Sequence, residues 1–152
     1  MRAKEALFWS IAFPGFGQFL NGKYVKGIVL LLLELLVNIM ANFNVVIISS
    51  FHGDIHKAVS EANFQWLMFY PCIYFFAMWD AYKDAGGGKE PYSFLPFAIT
   101  AYFVTLGIVF SAKIKLFGVL LGPLWLPMLG VIPGIAVGLA LKKVIIKRSA
   151  FE

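Results

Sequence analysis

The chain reads as an all-α, polytopic transmembrane bundle: four spanning helices behind an N-terminal half-helix that re-enters or lies at the interface, with five full spans as the alternative. Three observations support this. Of 152 residues, 61% are apolar and 14% charged, and the mean hydropathy is +0.81. Soluble domains run near about 45–50% apolar and about 25% charged. The apolar residues also fall in runs long enough to cross a hydrocarbon core about 30 Å thick, which takes roughly 17–25 helical residues. The charges collect between those runs rather than within them. No length remains for a separate soluble domain, so residues 1–152 are expected to form a single integral membrane domain. Helices follow rather than strands, because hydrocarbon offers the backbone no hydrogen-bond partners and the runs lack the alternation of a barrel strand.

The first element is the apolar run ALFWSIAF, which stops abruptly at FPGFGQFLNGKYVKG, residues 13–27. Residues 6–20 as a helix would rise only about 22 Å, short of a crossing. Pro14 biases Phe13 away from helical geometry, and Gly15 and Gly17 weaken any helix that follows. Charge placement agrees. If the stretch crosses fully, Lys and Arg divide five against eight. If it returns, Arg2, Lys4, Lys23, Lys26, Lys83, Lys89, Lys142, Lys143, Lys147 and Arg148 share one side against Lys57, Lys113 and Lys115. The second division orients the chain more strongly by the positive-inside bias. It predicts both termini, residues 21–27 and residues 83–92 on the cytoplasmic side, with 51–64 outside. The opening MRAKEALFWSIAFPG has the charged-then-apolar look of a signal peptide but no A-x-A-like cleavage site, so it is read as retained.

Four long apolar runs follow, at 28–50, 65–81, 94–112 and 116–141. Between them lie FHGDIHKAVSEANF (51–64), with room for one surface turn of helix, a glycine-rich turn at 83–93 and a tight basic turn at 111–115. Trp66, Trp79, Tyr82 and Tyr92 suit the aromatic belts at the two interfaces. Cys72, the one cysteine, sits in an apolar run and reads as a small buried hydrophobe.

Pro14, Gly15, Gly17, Gln18, Asn21, Gly22, Lys26 and Gly27 spell PG-x-GQ-x2-NG-x3-KG. This resembles the signature of small bacterial membrane proteins related to the two-transmembrane-helix domain. The later MWDAYKDA, residues 78–85, is similar to the helix-ending element of such proteins. The resemblance covers residues 6–50 and 77–85 and implies a membrane location; the helices from residue 94 onward lie beyond the usual two-span unit.

Three constellations carry possible chemistry. Glu34 is the one acidic residue deep in an apolar run. With Asn38 and Asn42 at four-residue steps it forms a polar stripe on one helix face, either interhelical hydrogen-bonding glue or a path for a proton, ion or solute. Gly118, Gly122, Gly130, Gly134 and Gly138 form a small-residue stripe for helix packing, interrupted by Pro123, Pro127 and Pro133. A helix break is expected at GPLWLP, between Pro123 and Pro127. His52 and His56 stand at zinc-compatible spacing but lack an obvious third ligand. Asp80, Lys83 and Asp84 read as helix-end charges. No G-x-S-x-G, P-loop, H-E-x-x-H or CxxC pattern occurs. The expectation is therefore a non-enzymatic inner-membrane protein with no cofactor and no metal. Its partners are the lipid bilayer and another membrane protein or a second copy, as a subunit of a membrane assembly. The alternative is a small channel or transporter built on Glu34 and the Pro123–Pro127 break. The net charge of +5 is assigned to the membrane ends and not to nucleic acid.

Overall fold

The computed structural model describes residues 2–149. Nine helices and one two-stranded hairpin follow one another among these residues. In order they are α1 (Arg2–Ala12), α2 (Phe16–Leu20), α3 (Tyr24–Met40), α4 (Phe43–Phe51), α5 (Ile55–Glu61), α6 (Phe64–Leu67), α7 (Tyr70–Asp84) and α8 (Leu95–Phe110). The antiparallel strands β1 (Lys115–Leu116) and β2 (Val119–Leu120) precede α9 (Gly122–Ser149). The all-α class holds, with the hairpin as a small addition.

Helices α1 and α2 form a hairpin that does not run the length of the bundle. A Cβ on Gly17 would stand 2.4 Å from the Ala6 carbonyl oxygen and 2.7 Å from the Ala81 Cβ. The Asn21 amide nitrogen donates to the Ala81 carbonyl, and the Tyr74 hydroxyl donates to the Ile11 carbonyl. The chain thus passes from the level of Ala81 to that of Tyr74 along α7 and comes back, a depth of about 10 Å at 1.5 Å per residue. Gly15 makes the reversal, with φ of 100° and the Gly27 carbonyl 2.6 Å from where its Cβ would be. Only glycine fits both demands.

The four spanning helices expected from sequence do not appear as four long helices. One helix, α9, is long and apolar enough to cross a membrane; α3 and α4 pass the same test only when taken together, and α8 is apolar but shorter. Residues 28–50 do not make one rod. The helix bends by 66° between α3 and α4, where Asn42 adopts φ of 56°, a conformation asparagine tolerates better than most residues. The bend is held from outside: the Asn63 amide donates to the Ala41 carbonyl at 3.1 Å, and Asn42 Nδ2 donates to the Glu61 carbonyl. In 65–81, Pro71 falls in the first turn of α7, where its missing N–H removes no ladder bond, so α6 and α7 are separate helices. The loop at 51–64 contains α5, capped by Asp54, whose side chain accepts from the Lys57 amide.

The expected break at Pro123–Pro127 is also absent. Pro123 stands in the first turn of α9, and the helix continues through Pro127 and Pro133 to Ser149. Gly107 makes room for Pro127; a Cβ there would lie 2.6 Å from the Pro127 Cα. That contact begins an antiparallel ladder between α8 and α9. Gly130 faces the Phe103 carbonyl, Gly134 the Thr100 Cα and Gly138 the Pro96 Cα, at would-be Cβ distances of 2.9, 2.6 and 2.6 Å. Gly118 and Gly122 do not belong to this stripe. Gly118 is in the turn between the strands, with open space around it, and Gly122 opens α9 with φ of 73°. The stripe shortens because the chain spends 115–120 on the hairpin before helix geometry starts.

Two apolar clusters fill the interior: Ala41, Leu67 and Ile108 in one, Phe75, Met78 and Ala101 in the other. The bundle has two polar ends. At one, Lys26 pairs with Asp84 and Lys142 with Glu90. At the other, Trp125 Nε1 donates to the Ser50 carbonyl, and the Phe51 and Trp125 rings meet at 4.9 Å.

Candidate functional site

The glycine-rich segment 13–27 and the end of α7 close on one another. Gln18, fully buried, donates from Nε2 to the Ala77 carbonyl at 2.9 Å and to Asp80 Oδ2 at 3.1 Å. Lys26 Nζ bridges Asp80 Oδ1 and Asp84 Oδ2, both at 2.8 Å. Asn21 completes the contact through the Ala81 carbonyl at 2.8 Å. Asp80 is 8% exposed, and a carboxylate so placed needs a cation and donors to be tolerated. Here Lys26 supplies the cation and Gln18 the neutral donor. Around the polar core, Gly17 and Gly27 let α1 and the Phe19 ring approach, and Pro14 is buried beneath them. Gly22 turns at the surface with φ of 72°. All eight signature residues therefore lie in this interlock or at its edge, binding the α1–α2 hairpin to α3 and α7.

Sequence spacing grouped Asp80 and Asp84 with Lys83, but their cation is Lys26, on another helix. Lys83 instead lies over the Trp79 ring, 4.8 Å from its centroid. At the same end Lys142 reaches Glu90 and holds that exposed carboxyl below the usual carboxylate range.

Glu34 stands deeper in the α3–α7 interface and is 4% exposed. One carboxyl oxygen lies 3.5 Å from the Tyr70 hydroxyl, and the other has no partner. The Tyr70 ring stacks on Tyr74 at 5.8 Å, and Tyr74 in turn holds Ile11 at the tip of the N-terminal hairpin. Asn38 stays on the Glu34 face, half-buried; Asn42 does not, because the bend turns it out to the Glu61 carbonyl. The polar stripe is therefore Glu34 and Asn38, with Asn42 serving the kink. Beyond Tyr70 lies a cavity of about 290 Å³ whose walls include Tyr74, Pro123, Pro127 and Met128. It is lined chiefly by apolar side chains.

His52 and His56 are exposed at the far end, away from Asp80 and Asp84, so these groups do not assemble into one site. Among the described residues no three His, Cys, Asp or Glu side chains gather as a metal-binding set. Cys72 is exposed on the flank of α7 rather than buried. Two features escaped sequence reasoning: Tyr70 as the neighbour of Glu34, and Gly107 as the start of the α8–α9 ladder. Gly107 is one glycine in an otherwise bulky run, and only the facing helix gives it meaning. Compared with protein-family models, with curated proteins and with solved structures, the chain matches none, so the likeness to two-transmembrane-helix proteins rests on the residues of the interlock alone.

Proposed function

We propose that the chain is a multi-pass bacterial inner-membrane protein that performs no chemistry of its own and works through helix contacts, as a subunit of a membrane assembly or as a homo-oligomer. Four passes are assigned to α3 with α4, to α6 with α7, to α8 and to α9. The α1–α2 hairpin enters from the cytoplasmic side, where both termini lie. One observation carries this reading. The outward faces of α3 and α9 are apolar, with Val25, Leu32, Ile39 and Ile132 all more than half exposed, while Gln18, Asp80 and Lys26 pair with one another between α2, α3 and α7. Faces of that kind suit lipid and neighbouring helices; they offer little to a soluble substrate. The α8–α9 ladder already occupies the glycine stripe, so the partner surface is assigned to α3. A photocrosslinking residue at Leu32 or Ile39 tests this in native membranes. Discrete protein adducts are expected at these positions, and their absence, together with a monodisperse monomer after extraction, overturns the reading.

A second reading, a small proton or solute carrier, is favoured by the unpartnered Glu34 oxygen beside the Tyr70 cavity. Flux into proteoliposomes, lost in Glu34→Gln while the fold survives, supports it. A stable Glu34→Gln variant with full flux removes its best residue.

A further inference from the structure

The β1–β2 hairpin, between α8 and α9, contradicts the ordinary chemistry of its own turn. Its two central residues, Phe117 and Gly118, both have positive φ, 51° and 83°. A two-residue turn of that type usually takes Asn-Gly or Asp-Gly, because a side chain branching from a left-handed backbone is strained. Here the strained position holds a phenylalanine that is 100% exposed. Strain combined with full exposure of a large aromatic ring lowers stability twice over in water.

The pairing shows what the hairpin presents. Lys115 faces Leu120 and Leu116 faces Val119 across the strands. Directly opposed residues share a face and successive ones alternate. Leu116 and Val119 thus share one face beside the Phe117 tip and stay 36% and 60% exposed, while Lys115 and Leu120 share the other; the cavity over Gly53–His56 is bordered by Lys115 and Leu120 and also by Gly118 and Val119. Val109 and Phe110, at the end of α8 just before the hairpin, are exposed apolar side chains as well. Lys113 and Lys115 stand at its base, complementary in charge to phosphate headgroups.

We propose that this hairpin is an interfacial anchor, with Phe117 and its Leu116–Val119 face seated in the headgroup–acyl boundary of the leaflet opposite the termini. The anchor rests on the membrane reading given above. Transfer of the ring out of water offsets the strain of its backbone, and the short rigid turn holds it in place at small entropic cost.

A nitroxide at Val119→Cys, in a Cys72→Ser background with Phe117 intact, tests the anchor in vesicles of phosphatidylcholine and phosphatidylglycerol. Collision with oxygen reports lipid, and collision with a water-soluble nickel chelate reports solvent. Labels at Ile132→Cys on α9 and Lys57→Cys on α5 serve as lipid and water references. The expected result is loss of nickel collisions at 119 with oxygen access retained, as at 132, and recovery of nickel access on Phe117→Asn, which suits the turn. Nickel access at 119 equal to that at 57, with 132 still nickel-silent, overturns the anchor alone. Silence to both reagents also overturns it, since that signals a protein partner. No change on Phe117→Asn removes Phe117 from the role. Nickel access at 132 as well overturns the membrane reading itself.

Discussion

Asp80 is the residue on which the interlock depends. Its side chain is 11% exposed while that of Lys26 is 48% exposed, so the pair is only partly screened. Removing one partner of a fully buried ion pair costs about 3–5 kcal/mol, and the solvent at Lys26 reduces that figure. Lys26→Met is expected to lower stability by about 2–3 kcal/mol, and adding Asp80→Leu should restore most of it. Thermal unfolding in detergent measures both, and an additive double variant would show that the pair is not coupled. Half of this site was legible in advance. Asp80 and Asp84 are one helical turn apart, which any helix pattern exposes, but their cation lies 54 positions away, and only the hairpin's return to α7 brings it there. Glu34 was legible for another reason. A lone carboxyl within a leucine run is unusual wherever it points, whereas Tyr70 is one of many aromatics and carries no such mark.

Among the elements, α8 and α9 are joined by backbone approach. Gly134→Leu and Gly107→Leu both push a side chain into backbone on the facing helix, so each is expected to cost about 3 kcal/mol or more. Gly118→Leu meets open space and only a strained φ, worth about 1–2 kcal/mol. Equal losses at all three positions by thermal unfolding would refute the ladder. The four-residue glycine period was readable, and so was its purpose as a close-packing face. Where it starts was not, because the turn at Phe117 and Gly118 decides that. Prolines misled for a related reason: Pro71 and Pro123 sit in first turns, where proline is harmless, and a linear pattern does not mark a first turn inside an apolar run. The C-terminal end of α9 carries a further expectation. Lys142 depresses the folded carboxyl of Glu90, so the bond contributes above the unfolded carboxylate value, about 4.3, and fades as pH falls below it. Amide protection in residues 86–92, taken relative to the intrinsic exchange rate at each pH, should fall on acidification through that range, and Glu90→Gln should abolish the change.

For the molecule as a whole, the two polar ends reproduce the division of charges seen in the chain. Residues 21–26, 80–90 and 142 meet at one end, and residues 50–56 meet 115–125 at the other. Single cysteines at Tyr24→Cys and Ile55→Cys, in a Cys72→Ser background, are expected to react with an impermeant thiol reagent from opposite sides of the membrane. Reaction from the same side would overturn the topology. At this scale the sequence was most informative, because cationic side chains are expensive in hydrocarbon wherever the chain bends. Bends themselves were not legible, since Asn42 and Asn63 act through each other.

The kink at Asn42 also sets a thickness. Helix α3, with 17 residues, rises about 25 Å, and α4, with nine, about 13 Å. Laid end to end they would exceed the roughly 30 Å hydrocarbon slab by nearly a third. Turned through 66°, α4 adds only about 5 Å along the α3 axis, and the pair measures about 30 Å. In the single pass proposed for α3 with α4, the bend removes a hydrophobic mismatch that tilting would otherwise have to absorb. On that proposal, a chain straightened by Asn42→Ala should shift its preference toward bilayers of longer acyl chains, which would make this asparagine a gauge of membrane width.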